Sequence, residues 1–83
     1  MDVDRTGMLE RVQTEAARVL GVAPEQLTEQ TPLADLGADS LDFVEIVVPI
    51  EEALNIDAGQ AGLDSIVTVA DFVDHLLSAT RPQ

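Results

Sequence analysis

Cysteine, tryptophan, tyrosine and lysine are missing from this chain of 83 residues, and phenylalanine occurs only as Phe43 and Phe72. Without cysteine there is neither a disulfide nor a thiolate metal site, so a small core must hold by packing alone. With so little aromatic area, Leu, Ile, Val and Ala have to fill the interior. The absence of lysine leaves four arginines against sixteen acids, a formal net charge of −12. Such a field repels nucleic acid and anionic membrane and attracts proteins with basic patches. Long hydrophobic runs are lacking too. The longest, Ile46-Val47-Val48-Pro49-Ile50, is a fraction of the roughly 20 residues a membrane-spanning helix needs. Met1-Asp2-Val3-Asp4 places acids where a secretory signal carries positive charge. The expectation is one cytoplasmic domain over 1–83, not inserted in membrane, with a loose tail from about Ala79 to Gln83.

What is present has the period of helices. Leu9, Val12, Ala16, Val19 and Leu20 recur at three- and four-residue intervals from about Thr6 to Leu20. Gly21 can take the left-handed conformation that stops a helix, and Pro24 blocks its continuation. A long connection follows from Val22 to Asp39, with Val22, Leu27, Leu33 and Leu36 spaced to pin it onto a core and Thr31-Pro32 marking a turn. A second helix starts at Asp39 or Ser40, where Asp39 is a good N-cap and Asp42 suits the helix dipole. Its apolar stripe reads Leu41, Val44, Val47 or Val48, Ile50 and Leu54, and Asn55 can end it. Pro49 removes one helical hydrogen bond and disfavours helical angles at Val48, which predicts a kink or break over residues 45–49.

Residues 56–67 read as a Gly-containing loop with one short helical turn. A last helix begins at Thr68, with Asp71 three residues on in a near-capping box and a stripe of Val69, Phe72, Val73, Leu76 and Leu77. No segment alternates as a half-buried strand does. The fold class is all-α: a bundle of three main helices plus a short fourth, with the long loop between the first two.

The segment that carries the most chemistry is Leu36-Gly37-Ala38-Asp39-Ser40-Leu41-Asp42. It sets one serine hydroxyl at the junction of a Gly-containing loop and an acid-lined helix. Nucleophilic catalysis needs an adjacent base and an orienting third group. The only histidine, His75, lies on the last helix, in the position of a surface residue, and the neighbours of Ser40 are acids. No catalytic residue is assigned. Helix capping alone would also explain an Asp-Ser pair, and Asp64-Ser65-Ile66 repeats much of the composition elsewhere in the chain. On spacing alone, capping and a presented modification site stand level. The acids do not follow the Gly-containing calcium-loop pattern, so no metal site is assigned.

The same residues resemble the acyl carrier protein family, whose signature is a serine in an Asp-Ser-Leu motif. The similarity continues through Val44-Glu45-Ile46-Val47 and Ile50-Glu51-Glu52, and through Thr31-Pro32-Leu33-Ala34-Asp35-Leu36 upstream and Thr68-Val69-Ala70-Asp71-Phe72-Val73 downstream. The resemblance implies a carrier and not an enzyme. Ser40 would be the attachment site of 4′-phosphopantetheine, donated from coenzyme A by a 4′-phosphopantetheinyl transferase, and the thiol of that arm would carry acyl groups as thioesters. It implies partner recognition along the second helix, at Asp39, Leu41, Asp42, Glu45, Val48, Glu51 and Glu52, by acyl-chain synthesising and transferring enzymes with basic docking patches. It further implies a free-standing monomer of fatty-acid, polyketide or specialised lipid biosynthesis. Pro49 and the Gly-rich stretch from Asp57 to Ser65 depart from the family pattern and favour a specialised carrier. Two other readings stay open here: an aminoacyl or peptidyl carrier of a nonribosomal pathway, and an unmodified acidic helical interaction protein.

Overall fold

A computed structural model describes residues 4–59 and 62–80. The first helix, α1, spans Arg5–Leu20. Asp4 caps it by accepting the Gly7 N–H at 2.7 Å. Gly21 stops it at φ +69°, and the N–H groups of Gly21 and Val22 both return to the Ala17 carbonyl, at 2.9 and 3.2 Å. The second helix, α2, spans Ser40–Leu54 and ends on Asn55 in the left-handed region. The third, α3, spans Val69–Thr80. Ala79 and Thr80 are therefore helical, where the sequence led us to expect a tail; residues 81–83 lie outside the described residues.

The connection from α1 to α2 is short-range structure stapled to α1 and to the start of α3. It contains two 3₁₀ turns, Pro24–Gln26 and Leu33–Leu36. Its anchors Leu27 and Leu33 are fully buried, and Val22 and Leu36 pack partly buried against the core. Gln13 on α1 donates to the Leu27 carbonyl at 2.7 Å. Opposite α3, the Leu33 N–H donates to the Val67 carbonyl at 2.9 Å, Val69 N–H to Thr31 at 3.2 Å and Ala70 N–H to Glu29 at 3.0 Å. These bonds satisfy backbone groups that a long loop would otherwise leave to water. Arg5 adds an exposed link, pairing with Glu29 of the loop at 2.5 Å and with Asp74 of α3.

The core is aliphatic except for Phe72, whose ring meets Phe43 edge-on at a centroid distance of 5.7 Å and joins α2 to α3. Some faces are rotated from the sequence expectation. On α1 the buried residues are Met8, Val12, Ala16 and Ala17, while Leu9, Val19 and Leu20 sit at the margin. On α2 they are Ile46, Val47 and Ile50, and Leu41 and Val48 face outward.

Of the kink or break expected over residues 45–49, the break does not form. Helix α2 runs unbroken through Pro49. The proline leaves the Glu45 carbonyl without its helical partner, but Glu45 is exposed and water can serve it, while buried Ile46, Val47 and Ile50 hold the helix on both sides. The short helical turn expected within residues 56–67 forms, as the 3₁₀ turn Leu63–Ser65. Among the described residues no strand forms, only an isolated bridge between Pro32 and Thr68. Nor is any helix there long and apolar enough to cross a membrane.

Candidate functional site

Ser40 is the first residue of α2, and the approach to it is fixed residue by residue. Buried Leu33 anchors the preceding 3₁₀ turn. Gly37 follows at φ +84°, where a side chain would be strained. The Ala38 N–H then closes on the Leu33 carbonyl at 3.3 Å. Asp39 is extended and caps the helix. Its Oδ1 accepts the Asp42 N–H at 3.0 Å, while Asp42 Oδ2 accepts the Asp39 N–H at 3.1 Å. This reciprocal box, made here by two aspartates, satisfies two backbone donors without using the serine.

The Ser40 side chain is exposed, and its hydroxyl makes no hydrogen bond to the described residues. The second Asp-Ser pair is placed quite differently. Ser65 closes a 3₁₀ turn, its N–H bonded to the Gly62 carbonyl, and the chain runs on into buried Ile66 and extended backbone before α3. Similar composition therefore gives an exposed serine at a helix start in one case and an exposed serine at a turn end in the other.

Among the described residues no hydrogen bond joins the Ser40 hydroxyl to a general base. His75 is half-buried against the loop before the 3₁₀ turn, with Nε2 at 3.4 Å from the Gly59 carbonyl. The sequence led us to expect a surface histidine; the packing of loop on helix covers it. Among the described residues no group of three or more His, Asp or Glu is arranged to hold a metal.

Around the serine, Leu41, Glu45, Val48 and Glu52 fall on one exposed line of α2, with Leu41 72% and Val48 39% open. Asp39 and Asp42 are engaged in the cap. Glu51 turns away: its Oε2 accepts the N–H groups of Ala58 at 2.7 Å and Gly59 at 3.3 Å, clamping the loop after α2. An open groove of about 450 Å³ lies between α1 and α2, lined by Gly7, Arg11, Thr14, Pro49 and Ala53 among others, and it does not include Ser40. Sequence reasoning passed over Phe43, which packs on Phe72 three residues from the serine, and Val67, which is 58% exposed. Phe43 could have been found from the i, i+3 and i+4 spacing to Ile46 and Val47; nothing in the local pattern marks Val67.

Residues 10–76 match the model of a family described as phosphopantetheine attachment site. The chain belongs to the acyl carrier protein family. It is 38% identical over 73 residues to an acyl carrier protein of Saccharopolyspora erythraea, covering 87% of this chain and 77% of that protein. It is 43% identical over 70 residues to an acyl carrier protein of Guillardia theta, covering 83% of this chain and 86% of that one. Family membership makes the protein a carrier and not a catalyst, with 4′-phosphopantetheine as its covalent group and enzymes as its partners. The residues at the start of α2 fit that group. An ester needs a hydroxyl that is open to an incoming enzyme and free of structural duty, and a carrier has no need of a base of its own.

Proposed function

We propose that Ser40 is the attachment point of the 4′-phosphopantetheine arm and that the chain presents acyl cargo to enzymes of fatty-acid, polyketide or specialised lipid biosynthesis. The observation that carries this reading is the exposed, unbonded hydroxyl of Ser40 at the first position of α2, left free because Asp39 and Asp42 cap each other. The arm supplies a thiol at the end of a flexible tether, which holds an acyl group as a thioester.

Attachment requires that Ser40 Oγ form a bond to the donor phosphorus of coenzyme A while 3′,5′-adenosine diphosphate leaves and the hydroxyl proton passes to the transferase. Asp39 and Asp42 add negative charge beside the incoming phosphate and oppose its binding. Their part is to hold the helix start and to draw a basic 4′-phosphopantetheinyl transferase. Leu41 and Val48 supply apolar contact on the outward line of α2, and Glu45 and Glu52 supply acids that steer and orient basic partners. Glu51 is set to hold the adjoining loop. The chain works in this reading as a cytoplasmic monomer, where coenzyme A and the transferase are at hand.

The test is intact mass after incubation of the apo chain with coenzyme A and a broad-specificity transferase. One phosphopantetheine increment, absent in Ser40→Ala and retained in Ser65→Ala, is expected. No increment with several competent transferases, or an increment that survives Ser40→Ala, would overturn the reading.

A further inference from the structure

Among the described residues three large aliphatic side chains stand exposed: Leu41, Val48 and Val67. The first two belong to the outward line of α2. Val67 lies elsewhere, in the extended residues that lead into α3, and the carrier reading above leaves it unused.

A single exposed aliphatic residue is ordinary, and two local causes would account for a valine here. One is the hydrophobic staple, in which the residue before a helix cap packs on the fourth helical residue. For α3 that partner is Phe72, which is fully buried, yet Val67 is still 58% open, so the staple covers less than half of it. The other is the fit of a β-branched side chain to extended backbone. Threonine fits as well, which makes the two explanations separable by substitution.

The backbone of Val67 is held at both ends. Its N–H donates to Asp71 Oδ2 at 3.0 Å, and its carbonyl accepts the Leu33 N–H at 2.9 Å. Leu33 in turn accepts the Ala38 N–H at 3.3 Å, and Ser40 follows two residues later. Two hydrogen bonds and a short piece of chain therefore tie Val67 to the serine, a span of at most roughly 18 Å. A standard protein interface covers about 800 Å² per partner, a disc about 30 Å across, which is wide enough to hold both. The surroundings repeat the chemistry of α2. Asp35, in the turn before the serine, and Asp64, three residues before Val67, are exposed and form no ion pair among the described residues. An apolar point set among acids complements an apolar recess rimmed by Arg or Lys.

We infer that Val67 is a second apolar docking contact, outside α2, for the basic enzyme that modifies Ser40. This rests on the reading of Ser40 as the modified residue. The test measures transferase kinetics on the full apo chain with coenzyme A, comparing wild type with Val67→Thr and Val67→Asp, each with its melting temperature. Val67→Thr keeps branching and volume. The expected result is an unchanged melting temperature, an unchanged kcat and a KM raised about three- to tenfold, with a larger rise for Val67→Asp. Wild-type KM in both variants would overturn the inference and assign Val67 to backbone geometry alone. A KM rise in Val67→Thr that tracks a loss of melting temperature would overturn it too. Failure of the wild type to be modified sinks the reading of Ser40 itself, and this inference with it.

Discussion

Asp39 and Asp42 exchange hydrogen bonds across the start of α2, each carboxylate accepting the other's backbone N–H at 3.0–3.1 Å. Two like charges are thus held side by side next to an exposed hydroxyl, which is stable because each is bonded to an amide dipole at the positive end of a helix. Asp39→Ala should cost about 1 kcal/mol, while Asp39→Asn should cost much less, because asparagine caps as well as aspartate does. Urea titration of the two variants measures the difference.

Glu51 shares a helix with the outward acids but is bound to the loop at Ala58 and Gly59. Glu51→Gln should speed amide hydrogen exchange at these two residues and leave the salt dependence of transferase association near wild type. Glu45→Gln and Glu52→Gln should do the reverse, flattening the salt dependence without changing exchange in the loop.

Asp71 receives the N–H groups of Thr68 and Val67, which hold its carboxyl below the usual carboxylate range. A depressed folded-state pKa stabilises the fold above the unfolded value, about 3.9, and that contribution is lost as pH falls through the folded value. The melting-temperature gap between wild type and Asp71→Asn should therefore be constant from pH 7 to 5 and narrow below about pH 4. Paired thermal melts across that range check it.

Pro49 lies inside a continuous helix. Pro49→Ala restores the donor to the Glu45 carbonyl and should stabilise the chain by about 1–3 kcal/mol, the loss of ring packing beside the groove setting the lower figure. Chemical denaturation gives the sign directly.

The net charge of −12 works against the compact state. The melting temperature should climb as sodium chloride is raised from about 10 to 150 mM, because screening relieves repulsion among exposed acids more than it weakens the few arginine pairs. A flat profile would show that the charges are already balanced locally.

The parts of this fold and site that were legible in the sequence are those written in neighbouring residues. Gly21 as a stop, Asn55 as an end, Asp39 as a cap and the Thr68–Asp71 box all depend on bonds spanning three to five positions. The serine motif is local as well. The aliphatic core and the acidic field follow from composition.

What the sequence alone determined is therefore the charge, the helix count and the residue that heads α2. The tertiary structure decided that Leu41 points outward, that Glu51 turns to the loop, that α2 survives Pro49, and that Leu33 pairs with Val67. Caps and stops are settled by bonds within a few residues. These other features depend on which distant segments pack against one another, and a periodic pattern of hydrophobic residues carries no record of that.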